Sequence, residues 1–159
     1  MWNKIKSLLK VQSKTYACSI YRTDAEYKII TESKTDTGLF MADTPVYIIP
    51  ISVSEKELSD KIFSSLFSSK DNVKFPATKS EMTEYQKEHL KNIKEKSFSN
   101  LYKNSTNCSI RLTNNIITII PNKLNKIWLE PVEKDIKEME YDNNELQITK
   151  IIISLLENY

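Results

Sequence analysis

The chain has 159 residues, the size of one ordinary domain, and its 40% hydrophobic and 28% charged residues are a soluble globular balance. A formal charge of +2 is weak evidence of any partner, since a nucleic-acid binder usually concentrates a larger basic excess, and a lone glycine, Gly38, argues against glycine-rich phosphate loops. No apolar run reaches the length of a membrane span, and two cysteines far apart, Cys18 and Cys108, predict reduced thiols in a cytoplasmic protein.

The opening segment MWNKIKSLLKVQ mixes apolar residues with lysines and lacks a continuous apolar stretch, so it does not read as a secretory signal. Strands are expected at 15–22 (TYACSIYR) and 26–31 (EYKIIT), joined by a turn at Thr23-Asp24-Ala25. A third is expected at 45–50 (PVYIIP). Pro50 has no N–H for a ladder, so the strand ends there or runs along an edge.

The period then changes. Ser54 and Glu57 form a capping box, and Leu58, Ile62, Phe63, Leu66 and Phe67 follow at helical spacing, which predicts an amphipathic helix over 55–68. Residues 68–80 are polar, contain Pro76 and read as an exposed loop. A second helix begins near Ser80 with an inner stripe of Met82, Tyr85, His89 and Ile93. Ser97 to Lys103 reads as a short third one.

SIRLTNNIITIIPNK (109–123) predicts two strands around Asn114-Asn115, since asparagine tolerates the left-handed backbone of tight hairpins. Cys108, Ile110 and Leu112 fall on one face. IITII is apolar at four of five positions, which predicts a central strand covered on both sides and stopped by Pro121. IWLEP and IKEMEY are weaker strand candidates. Asp142 and Glu145 predict the cap of a terminal helix carrying Leu146, Ile148, Ile151, Ile152, Leu155 and Leu156. Strands, helices, strands, helix is the order of a single α+β domain over 1–159, with a mostly antiparallel sheet and about three main helices packed on it.

Candidate chemistry is sparse. His89 sits in a helical stripe and reads as a half-buried core residue. One histidine and two distant cysteines make no ordinary zinc site, and both thiols lie in apolar strand patterns that suppress thiolate formation. No catalytic, cofactor-binding or metal-ligating residue is assigned. The one local imbalance is acidic. Between Glu130 and Glu145, seven acids (Glu130, Glu133, Asp135, Glu138, Glu140, Asp142, Glu145) face only Lys134 and Lys137, a window of −5 in a chain whose remainder carries +7. It reads either as a solvated edge leading into a helix N-terminus or as a docking patch for a basic partner.

SVSEKELSDKIFSSLFSSK, then EKSFSNLYKNSTNCSIRLTNNIITIIPNK, then NNELQITKIIISLLE, in that order over roughly residues 40–159, resembles the immunity proteins of bacterial contact-dependent growth inhibition systems. The carrying marks are the S-x-x-E-L helix start with SSLFSSK at its end, KSFSNLYKNS before the hairpin, the I-x-I-I-P strand and the acid-capped apolar terminal helix. Where the family often has glycine, this chain has Ser59 and Gln147. The resemblance implies a non-enzymatic cytoplasmic protein without cofactor. Its partner is the cognate C-terminal toxin domain, often a nuclease, rather than nucleic acid or membrane. The family supplies no universal site residues. Charge alone nominates Glu130, Glu133, Asp135, Glu138 and Glu140 for toxin contact, because nuclease clefts are basic. Two other readings stay open: a small hydrolase or nuclease built on dispersed carboxylates, and a nucleic-acid-binding accessory protein.

Overall fold

Runs rich in isoleucine, tyrosine and threonine form strands, and each strand's side chains alternate between two faces that are covered unequally. The computed structural model describes residues 13–159, so the opening MWNKIKSLLKVQ segment lies outside the described residues. The strands are β1 (Thr15–Arg22), β2 (Glu26–Lys34), β3 (Phe40–Pro50), β4 (Thr106–Thr113), β5 (Ile116–Asn125), β6 (Trp128–Pro131) and β7 (Lys137–Glu140). They pair antiparallel in the order β3-β2-β1-β4-β5-β6, and β7 also pairs with β5. The helices are α1 (Glu55–Phe67), α2 (Lys79–Asn92), α3 (Phe98–Lys103) and α4 (Glu145–Glu157). The architecture is α+β, as the order of elements predicts.

The larger core lies on one sheet face. Cys18 and Ile20 of β1, Tyr27 and Ile29 of β2, Cys108, Ile110 and Leu112 of β4, and Ile117 and Ile119 of β5 all point into it. Against them pack Leu58, Ile62, Phe63 and Leu66 of α1 and Ile148, Ile152, Leu155 and Leu156 of α4. Ser54 starts α1 as predicted, its Oγ accepting the Glu57 N–H at 3.2 Å. The cap of α4 differs from expectation. Asn144, not Asp142, holds the cap position, and no side chain bonds the helix N-terminus there. Leu146 of the predicted apolar set is exposed, because it falls on the outer side of the helix.

The opposite face carries a smaller core in which Ile30 meets Ile93 and Leu101, with Tyr21, Val46, Leu90, Phe98 and Tyr102 packed around them. Helix α2 begins at Lys79. Thr78 Oγ1 accepts the Glu81 N–H at 3.1 Å, and the Glu81 carboxylate reaches back to the Ala77 N–H at 2.6 Å. No residue of α2 is fully buried. Its predicted stripe is half-buried at Met82, Tyr85 and His89 and becomes buried only at Ile93, just past the helix end. Lys28 fastens this layer to the sheet. Though 2% exposed, its Nζ donates to the Ile93 carbonyl at 2.8 Å and to Glu95, and lies 3.4 Å from Glu26.

Two prolines depart from the sequence reading. β3 runs from Phe40, with Pro45 inside it at a register shift between Ile30 and Thr31, where a strand tolerates a missing donor. Nor does Pro121 stop β5, which continues to Asn125. The Pro121 carbonyl accepts the Val132 N–H at 2.8 Å, so its ring nitrogen faces the edge between β7, which pairs with residues 116–119, and β6, which pairs with 122–125. The absent N–H falls in that gap. β5 is also not covered on both sides: Ile117 and Ile119 are fully buried, whereas Ile116 is exposed, because the α2–α3 layer spans only the β1–β3 half of the second face.

Stopping the chain after Asn144 removes Ile148, Ile152, Leu155 and Leu156 from the larger core. At about 1.5–3 kcal/mol per side chain, the loss matches a typical total stability of about 5–15 kcal/mol. The truncated protein is expected to show no cooperative thermal transition by circular dichroism. Burial of Glu95 opposes its ionisation, but hydrogen bonds from Lys28 and Asn100 and the Lys28 charge outweigh it, so its pKa lies below the ordinary 4.5. This pair therefore stabilises the fold above pH 4.5, and the contribution is lost as pH falls through the folded value. Glu95→Gln is expected to lower the melting temperature at neutral pH and to flatten its fall below pH 4.5, measured by thermal melts across pH.

Candidate functional site

The acidic window forms the margin of the sheet beside β5. β5 turns back into β6 through Lys126 and Ile127, with Lys126 in the left-handed region at φ 57°. Glu130 pairs opposite Lys123, and its Oε1 accepts the Trp128 indole N–H at 2.9 Å. That bond, a second from Asn125 and the Lys123 charge hold the Glu130 carboxyl below its ordinary pKa. Val132 then turns inward, and a 3₁₀ turn at Glu133–Asp135 presents Glu133 to solvent. Asp135 accepts a hydrogen bond from the Tyr159 hydroxyl, which pushes that phenol up to about 12.

On β7 the pleat separates the side chains. Met139, opposite Ile117, packs on the larger core, while Glu138 and Glu140 lie opposite Thr118 and Ile116 on the other face. Thr118 Oγ1 donates to Glu138 at 3.4 Å. The structure thus brings Glu138 and Glu140 together on one face of an edge strand, with Glu133 and Asp135 on the preceding turn. Glu130 stands apart, across the pleat on the Lys123 face. Glu145 belongs to α4 and accepts the Tyr141 hydroxyl at 2.7 Å. The window is a ribbon of separated carboxylates rather than a converging cluster. Among the described residues no three histidine, cysteine or acidic side chains are grouped to hold a metal ion.

A groove of about 310 Å³ opens on the second sheet face beside α2 and α3, between Tyr21, Glu32, Phe40, Tyr85 and His89. Arg111 Nη1 lies 2.6 Å from Glu32 Oε2, and the guanidinium covers the Phe40 ring at 4.7 Å. His89 packs between the Tyr85 and Phe98 rings, and burial lowers its pKa, favouring the neutral ring. Both thiols lie in the larger core on the other side of the sheet, so neither can pair with His89. Burial raises the Cys18 pKa strongly, with Glu32 adding to it, and pushes Cys108 up to about 12.

The sequence reading missed the apolar tip of the β5–β6 hairpin, where Leu124, Ile127 and Trp128 are exposed. The signal was present in IWLEP, an apolar run with too little chain around it to be covered on two faces.

The family model of CdiI, the CDI immunity protein, matches residues 16–148, a stretch that includes the whole margin from Glu130 to Glu140. The chain belongs to the CDI immunity protein family. Two solved structures share the fold of this CdiI-family protein. One is a protein of unknown function from Neisseria meningitidis, 18% identical, with a TM-score of 0.72 over 91% of this chain and 95% of that one. The other is a chain from the CdiA-CT/CdiI toxin and immunity complex of Yersinia pseudotuberculosis, 15% identical, with a TM-score of 0.70 over 91% and 97%. Comparison with curated protein sequences gives no match. Among the described residues of this CdiI-family protein, no helix is long and apolar enough to cross a membrane.

With both thiols sealed in the core, native Cys108 is expected to react with an aromatic disulfide reagent at least about a hundredfold more slowly than in the denatured chain. Stopped absorbance traces with and without denaturant measure this. A rapid native phase equal to one thiol would contradict it.

Proposed function

We propose that this CdiI-family protein neutralises a cognate C-terminal toxin domain by binding it, that the toxin is a nuclease, and that the acidic margin supplies part of the attraction. Membership of the immunity family carries the reading. The partner follows from that membership and from a structural neighbour described as a toxin and immunity complex. An inhibitor of this kind works in the cytoplasm of the cell it protects and needs a stable complementary surface rather than a general base or a cofactor.

The nuclease assignment rests on charge. Seven acids against two lysines over residues 130–145, in a chain that is otherwise basic, complement the cationic cleft by which a nuclease holds a phosphate backbone. Glu133, Glu138 and Glu140 are exposed on one edge and free to steer an approaching basic surface, with Glu130 and Asp135 beside them. Steering of this kind raises the association rate and fades as salt screens it, over about 10 Å at 0.1 M.

Replacing Glu138 and Glu140 together by lysine is expected to slow association with the toxin domain several-fold at low salt. The difference should shrink at high salt while the melting temperature stays nearly unchanged. Surface-binding kinetics at two salt concentrations, with the cognate C-terminal toxin domain as partner, provide the measurement. Equal rates for both proteins at both concentrations make the margin an ordinary solvated edge.

A further inference from the structure

Beyond Asn122 the β5–β6 hairpin leaves the body of the sheet. The last β4–β5 pair is Asn107 with Asn122, so Lys123, Leu124 and Asn125 have β6 on one side and no strand on the other. Leu124 and Leu129 are paired on one face of this two-stranded projection, Trp128 lies on the opposite face, and Ile127 sits at its apex. Ile127 is 74% exposed and Trp128 52%. Of the eight large hydrophobic side chains that are exposed among the described residues, three fall within five positions here. Scattered apolar exposure is ordinary, but a cluster carried on both faces of one projection is not.

The projection is held in shape before any partner arrives. Asn122, buried at its base, donates through Nδ2 to Asn107 Oδ1 at 2.6 Å and to Ser109 Oγ at 3.0 Å. The left-handed Lys126 closes the turn, and the Trp128 indole is fixed to Glu130. A preformed aromatic anchor loses little conformational entropy on binding, and tryptophan is the residue most enriched among interface anchors.

We propose that the hairpin Lys123–Glu130 is a recognition finger that inserts into a cleft of the toxin domain, with Ile127 and Trp128 as its anchors. This rests on the reading of the protein as a toxin-binding inhibitor. A flat partner covers one face of a finger and leaves the other apolar face in water, whereas a cleft covers both. The carboxylates flanking the finger's base, Glu130, Glu133 and Asp135, favour a cleft with a basic rim. The finger then governs how long the complex lasts, while the carboxylates of β7 govern how fast it forms.

The test uses the full chain and the cognate C-terminal toxin domain. Trp128→Ala and Ile127→Asp are each expected to speed dissociation by about tenfold or more, with a much smaller effect on association and little change in melting temperature. A second readout needs no substitution in the finger. In a Trp2→Phe chain the remaining tryptophan is Trp128. Its emission is expected to shift to the blue on complex formation as the indole leaves water, measured against a partner whose own tryptophans are replaced. A complex that forms with unchanged lifetime in both finger variants and with no emission shift overturns the finger and leaves the inhibitor reading standing. A wild-type chain that forms no complex at all overturns both.

Discussion

Everything in this fold depends on how the apolar stripes of α1 and α4 lie across the middle of one sheet face. Ile62, Leu66, Ile152 and Leu156 meet Ile20, Ile29, Ile110 and Ile119, all fully or almost fully buried. That contact sets the register of four strands at once. A slip of one residue turns Cys18, Ile20, Cys108 and Ile110 out of the core and their polar neighbours into it, so only one alignment is compatible with burial. It also joins the two ends of the described chain, since α4 closes a core whose central strand is β1.

The second layer is built on different terms. Only three fully or nearly fully buried hydrophobic residues, Ile30, Ile93 and Leu101, form its centre. A buried lysine, satisfied by one carbonyl and two carboxylates, then ties the α2–α3 connection to β2. Removing one partner of such a buried charge leaves the other stranded, which is why the pair fixes where the connection sits. The layer stops after the β1–β3 half, leaving the β5–β7 half of that face open. The acidic ribbon and the apolar hairpin tip are both found at that uncovered end, where a partner meets no helix.

How much of this was legible in the sequence follows from how local each signal was. β1, α1, the Asn114-Asn115 hairpin and the four inward aliphatic residues of α4 were readable because period and turn chemistry act within a few residues. Pro45 and Pro121 misled because a proline's cost in a sheet depends on which edge its nitrogen faces, and partner strands far along the chain decide that. Lys28 sits in an ordinary strand pattern, EYKIIT, and nothing nearby announces the Ile93 carbonyl and Glu95 that receive it. The charge imbalance at residues 130–145 was visible as composition. Its division between two pleat faces needed the register of β5 against β6 and β7.

Pro121 has a wider consequence. It lies between an inner part of β5, whose Ile117 and Ile119 are committed to the core, and an outer part that, beyond Asn122, answers only to β6. Changes of length or sequence around Lys126 and Ile127 therefore leave the register of the inner part untouched. If the hairpin is the recognition element proposed above, sequence there can change while the inner part is inherited intact, so new partner choice would not require a new way of folding.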